Sequence, residues 1–134
     1  MTLLTQGVRA LLEGRNFAHL ASVLPDGSPH SVPIWIGVEG DRIVFLTQAG
    51  SRKARNVDRD SRVALPVLDH DNPYRNVQLR GRVVETRRGE DAFPAMDAVS
   101  RRYTGADFPM RGAETVMYVV EVDSARLVDL PFRH

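Results

Sequence analysis

The hydrophobic positions of this chain change period several times. Leu4, Val8, Leu11 and Leu12 recur at helical steps and stop at Gly14, which predicts a short helix over Leu3–Glu13. From Phe17 the period drops to two. Phe17, His19, Ala21 and Val23 share one face of a strand over Phe17–Leu24. Pro25-Asp26-Gly27 then turns the chain into a second strand over Ser28–Val38. Pro33 cannot donate to a ladder, so that strand has an edge or a bulge there. A turn at Glu39-Gly40-Asp41 leads to a third strand over Arg42–Thr47. A short helix follows over Ser51–Asp58, and then a fourth strand over Arg62–Leu68, broken by Pro66.

Asp69–Pro73 reads as a turn-rich loop. Tyr74–Arg87 alternates as a long fifth strand, in which Gly81 signals a bulge or a close approach. Glu90–Tyr103 is helical, with Pro94 early enough for the first turn. A loop over Thr104–Gly112 leads to a sixth strand, Glu114–Val122, and Arg126–Leu130 continues it or forms a short final strand. Six strands with apolar residues on both faces need closure or a cover. The expected fold is mainly β: one domain, residues 1–134, built as a small, partly open antiparallel barrel flanked by short helices. An exposed edge and a Pro-interrupted strand favour dimerisation, with the N-terminal helix and strand faces as the expected interface.

Composition narrows the function classes. The chain has 134 residues, 43% hydrophobic and 26% charged, with a net charge of +1. These values fit one ordinary globular domain and give no bulk electrostatic case for nucleic acid or membrane binding. No apolar run is long enough to span a bilayer, and no signal-peptide pattern opens the chain. The absence of cysteine removes disulfides, thiolate metal sites and Cys nucleophiles, and fits a cytoplasmic protein.

One stretch carries candidate chemistry: Leu46–Leu65, LTQAGSRKARNVDRDSRVAL. A strand ends at Thr47, turns through Gln48-Ala49-Gly50 and opens onto a helix whose N-cap is Ser51. Such a helix start offers free N–H groups and the positive end of a dipole, a binding place for phosphate or another anion. Thr47 and Ser51 add hydroxyls; Arg52 and Lys53 add charge. Lys53 is the only lysine among 18 basic residues, and its compact ammonium is not copied by a guanidinium. The competing reading is a solvated basic helix face. Trp35, two residues past Pro33, either packs in the core or walls a flat ring.

No dinucleotide-binding glycine motif, Walker-type loop, metalloprotease motif or nucleophile elbow occurs. The four histidines are scattered, without metal-ligand spacing. If the chain is an enzyme, a cofactor does the chemistry and the protein positions it.

Several short motifs in order, spread over nearly the whole chain, complete the sequence picture. They are Asp26-Gly27-Ser28-Pro29, Val32-Pro33-Ile34-Trp35, Val44–Thr47, Gly50–Ala54, Arg62–Leu65, Asn72–Arg75, Gln78–Gly81 and Tyr103-Thr104-Gly105. The chain resembles the pyridoxamine 5′-phosphate oxidase-like, FMN-binding split-barrel superfamily. That resemblance implies a six-stranded antiparallel split barrel and a homodimer with two cofactor sites at the subunit interface. It puts a flavin or deazaflavin phosphate on Thr47, Ser51, Arg52 and Lys53, with Asn56 a weaker candidate on the same side. The ring would lie along Pro33, Ile34 and Trp35, with Asn76 reaching its polar edge. The phosphate-oxidase branch carries an Arg at the position of Ser31 and a Lys at the position of Ile36, both serving FMN, and this chain has neither. Val-Pro-Ile-Trp and Asn-Pro-Tyr-Arg look instead like the branch that uses the deazaflavin coenzyme F420, whose negative tail would meet Arg55 and Arg59.

The expected function is that of an F420-dependent oxidoreductase passing hydride to a small unsaturated acceptor such as an enone, quinone or tetrapyrrole. Tyr74 and Arg75 are candidates for the substrate side. The alternatives are an FMN-dependent reductase or oxidase of the same fold, and a non-catalytic protein that holds a flavin, deazaflavin or haem.

Overall fold

The computed structural model describes residues 2–110 and 114–132. Helix α1 (Gln6–Glu13) precedes strands β1 (Ala18–Val23), β2 (Pro29–Ile34), β3 (Gly37–Glu39) and β4 (Arg42–Gln48). Helix α2 (Arg52–Arg59) leads to β5 (Arg62–Ala64), β6 (Val67–Leu68) and the long β7 (Arg75–Arg88). A single 3-10 turn enters α3 (Phe93–Thr104), and β8 (Thr115–Asp129) closes the chain.

All strand pairs are antiparallel, in the order β2-β1-β5-β7-β8-β4-β3, with β6 bridging β1 and β7. The two ends of that order, β2 and β3, are consecutive in the chain and joined only by Trp35 and Ile36. Two residues reach no more than about 7 Å. The sheet therefore curls until its ends meet, which makes it a split barrel with its seam at Trp35–Ile36.

The expected six strands become eight because two of them are interrupted. Pro66 breaks the fourth, as its sequence position predicts. The second breaks after Ile34 and not at Pro33. Pro33 pairs with His19 on an edge strand, where a missing N–H costs no ladder bond. The final strand is continuous from Thr115 to Asp129. Its register against β7 shifts between Arg80 and Gly81, where Gly81 lies against the backbone of Glu121 too closely for any Cβ.

Two apolar clusters fill the two faces. Inside the barrel are Leu20, Ile36, Phe45, Leu65, Leu79 and Tyr118, plugged by Val8, Leu11 and Leu12 of α1 and by Ala54 and Val57 of α2. Outside, Met96 and Val99 of α3 cover Val44, Met117 and Val119 of β4 and β8. Burial on both faces explains the unbroken apolar run at Val116–Val120. The apolar stripe of α1 is buried inside its own chain. Among the described residues, four of the eight exposed large apolar side chains gather where β6 and β8 end and β7 begins. Leu68, Leu127, Leu130 and Phe132 are there, the last packed edge-on against Tyr74.

Candidate functional site

The end of β4 and the start of α2 form the turn that the sequence singles out. Ser51 is the N-cap of α2: its Oγ accepts from the Ala54 N–H at 3.2 Å and lies 3.1 Å from Thr47 Oγ1. Gly50 reaches the turn at φ +80°, a left-handed conformation that suits glycine. The first amides of α2, those of Arg52 and Lys53, come before any residue that could accept them within the helix. Thr47 is only 7% exposed, Lys53 is half-buried, and Arg52 and Arg55 stand in solvent. Among the described residues Arg52, Lys53 and Arg55 have no ion-pair partner. Arg9, Arg42, Arg62, Arg75, Arg82, Arg87 and Arg101 all do. Three cations without an ion-pair partner thus share one turn.

That turn borders a cavity of about 370 Å³. Thr47, Gln48, Lys53 and Thr115 supply its polar lining, and Phe17, Pro33, Ile34, Trp35, Leu46, Phe108 and Met110 the apolar lining. Its volume lies within the roughly 300–1,000 Å³ common for small-ligand sites. Chain ends at the seam make it: β2 delivers Pro33 and Ile34, the β2–β3 link delivers Trp35, and β4 delivers Leu46–Gln48.

The Trp35 ring is fixed by α3. Tyr103 stacks on it at 5.2 Å and on Phe17 at 5.6 Å. The Tyr103 hydroxyl donates to the Asn16 carbonyl at 2.6 Å and accepts from the Ile36 N–H at 3.3 Å. Burial is the main cause that raises its pKa above the usual 10.0, so the phenol keeps its proton at neutral pH. Across the mouth, the Gln48 amide lies 3.9 Å from the Met110 sulfur.

Most residues singled out in the sequence meet at this place. Pro33, Ile34, Trp35, Thr47 and Lys53 line the cavity, while Ser51 and Arg52 stand on its rim turn. Two do not join them. Asn56 is fully buried and donates through Nδ2 to Ser22 Oγ at 3.1 Å. It therefore offers an anion no surface, and its placement on the phosphate side is corrected. Asn76 lies on the outer face of β7, opposite Leu68 and Val128, and does not line this chain's own cavity. Tyr74 and Arg75 stand at the same end of the sheet, and Arg75 pairs with Asp129 at 3.7 Å. Arg59 is held by the carbonyl of Val23. Phe17, Gln48, Phe108, Met110 and Thr115 are cavity residues that sequence reasoning missed as site residues. Thr115 carried a signal, as a hydroxyl opening an apolar strand; the others belong to loops and strand ends.

The donor set has a definite chemistry. Hydroxyls and a free ammonium at a helix start suit a phosphate. A flat apolar wall backed by a stacked tyrosine suits a planar ring. Ser31 is exposed on the edge strand and Ile36 is fully buried in the barrel core, so neither position offers a cation. No described histidine lines the cavity, and the described residues hold no cluster suited to a metal ion. No described helix is long and apolar enough to cross a membrane.

Residues 4–129 match the pyridoxamine 5′-phosphate oxidase family. Among solved structures, an F420 reductase is 29% identical over 91% of this chain and 98% of that one, with a TM-score of 0.79. A conserved hypothetical protein from Mycobacterium tuberculosis is 25% identical over 99% of this chain and 92% of that one, with a TM-score of 0.81. A haem-binding protein from Mycobacterium smegmatis shares the fold at 21% identity and a TM-score of 0.77, over 96% of this chain and 55% of that one. No curated protein matches.

Proposed function

The chain belongs to the pyridoxamine 5′-phosphate oxidase family, and from that premise we propose that it is an oxidoreductase using the deazaflavin coenzyme F420. The observation that carries this reading is one cavity bringing Pro33, Ile34 and Trp35 together with Thr47 and Lys53. Strand end, seam and helix start converge there on a phosphate-and-ring pair of subsites. Similarity to an F420 reductase adds support for the coenzyme. The lack of a cation at Ser31 and at the buried Ile36 disfavours FMN.

In this reading Thr47, Ser51, Arg52 and Lys53 hold the phosphate. Pro33, Ile34 and Trp35 hold the ring, and Tyr103 keeps Trp35 flat. Phe17, Phe108 and Met110 extend the apolar lining around the ring. When bound in its reduced form, the coenzyme supplies a hydride to a small unsaturated acceptor such as an enone, quinone or tetrapyrrole, which also takes a proton from solvent. The chain's own work is binding and orientation. A homodimer completes the site: the apolar end at Leu68, Leu130 and Phe132 meets a second copy, and Asn76 of each protomer serves the ring held by the other.

The test is a pair of equilibrium titrations of purified, cofactor-free protein with F420 and with FMN, followed by fluorescence. Tight F420 binding with weak FMN binding is expected, and reduced F420 should then turn over with enone or quinone acceptors. Tight FMN binding with weak F420 binding would overturn the assignment of the coenzyme.

A further inference from the structure

The barrel interior ends, beneath α2, in three polar side chains. Ser22 is the last inward residue of β1 and is buried. His30 is its cross-strand partner on β2, so the two side chains share the inner face. Asn56 comes down from α2, fully buried, and donates to Ser22 Oγ at 3.1 Å. Two atoms of this group have no protein partner: Asn56 Oδ1 and His30 Nδ1, both shut off from solvent. Among the described residues these are the only buried side-chain polar atoms left so. Both belong to neighbours of one serine.

An unpaired buried carbonyl forfeits its hydration without return, and proteins satisfy such groups with ordered water where no side chain reaches. Asn56 Oδ1 can only accept. It needs a donor, and Ser22 Oγ lies on the Nδ2 side of the same amide, so that donor comes from elsewhere.

We propose that Ser22, His30 and Asn56 enclose one buried water that donates to Asn56 Oδ1 and to His30 Nδ1. The water ties α2 to both β1 and β2. His30 then carries its ring proton on Nε2, leaving Nδ1 as the acceptor. Asn56 becomes a positioning residue for the turn above it. α2 has only eight residues, and Lys53 lies one turn before Asn56. A polar anchor at Asn56 therefore fixes where the Lys53 ammonium points. The water itself rests on geometry alone; its effect on coenzyme binding rests on the function proposed above.

Three measurements on the full chain test this. A high-resolution crystal structure of the cofactor-free protein should show one well-ordered water about 2.7–3.2 Å from both atoms. A direct Asn56–His30 bond, or no water density there, would overturn the proposal. Nitrogen-15 spectra of the wild type should show His30 Nδ1 as the unprotonated, hydrogen-bonded nitrogen; a proton on Nδ1 would contradict the water's orientation. Asn56→Leu should still unfold cooperatively yet bind F420 about tenfold more weakly, whereas Asn56→Gln, which keeps both amide atoms, should recover most of the affinity. Equal affinity in Asn56→Leu and wild type would sink the positioning role. If the wild type binds neither F420 nor FMN, the function proposed above fails, and the crystallographic and nitrogen-15 results still decide the water.

Discussion

The ring of Tyr103 lies 5.2 Å from that of Trp35, with the two planes 7° from parallel. Helix α3 thus holds flat the one tryptophan at the barrel seam. Tyr103→Phe keeps the stack and removes both hydrogen bonds of the phenol. At about 0.5–1.5 kcal/mol per bond, it should cost roughly 1–3 kcal/mol in urea unfolding. Trp35 emission should shift little. Tyr103→Ala should redden and broaden that emission and weaken ring binding. Unchanged emission in Tyr103→Ala would show that Trp35 needs no backing.

Lys53 has no ion-pair partner among the described residues, so removing it leaves no buried charge unpaired. Lys53→Ala should leave thermal stability near wild type. It should reduce affinity for the phosphate-bearing coenzyme by roughly 1.5–3 kcal/mol, the scale of a hydrogen bond to a charged group. Titration of both proteins with F420 checks this, and equal affinities would remove Lys53 from the phosphate site.

Arg87 grips Glu39 through two N–H···O bonds of 2.9 and 2.6 Å. Hydrogen bonding to Arg87 holds the Glu39 carboxyl below its usual 4.5. Because the folded value is the lower one, the pair adds stability above about pH 4.5 and loses it as pH falls through the folded value. Glu39 is partly exposed, so the gain is at most about 1 kcal/mol. Glu39→Gln should flatten the stability profile between roughly pH 5 and 3, as read by urea midpoints against pH. A profile that superimposes on wild type would refute the pair's role.

Tyr118 stands inside the barrel, stacked on Phe45, and its hydroxyl donates to Asp58 Oδ1 at 3.0 Å. Burial, then the hydrogen bond to Asp58, pushes its pKa up to about 12. The folded value exceeds the usual 10.0, so the stabilisation is complete below pH 10 and fades toward 12. In an alkaline absorbance titration, Tyr118→Phe should delete the latest-titrating tyrosine. Loss of an earlier one would contradict the assignment.

Gly81→Ala should be destabilising by about 1–3 kcal/mol, the usual range for overpacking, because its Cβ meets the backbone of Glu121. A neutral result in urea unfolding would mean that the bulge relaxes freely.

The architecture was legible where residues act locally. Pro66 stops a strand by removing a donor, Gly81 marks the bulge, and Ser51 caps α2. What the sequence hid depends on distant partners. Pro33 announced an edge or a bulge and the edge is there, but the break in the strand falls after Ile34, where the chain crosses the barrel seam. The family resemblance made Asn56 a weaker candidate on the phosphate side. Its burial follows from Ser22, 34 positions earlier, which no local spacing reveals. The aromatic backing of Trp35 likewise comes from Tyr103, 68 positions later.

The meeting of β2 and β3 at Trp35–Ile36 has a consequence for how this fold diversifies. Those two strands are joined by covalent chain and by side chains, not by a ladder of backbone bonds. The width of the slot between them is therefore a side-chain property. Substitutions at Phe17, Trp35, Tyr103 or Phe108 can widen or narrow it while every strand keeps its register. A lineage built on this barrel can change the guest without altering the frame.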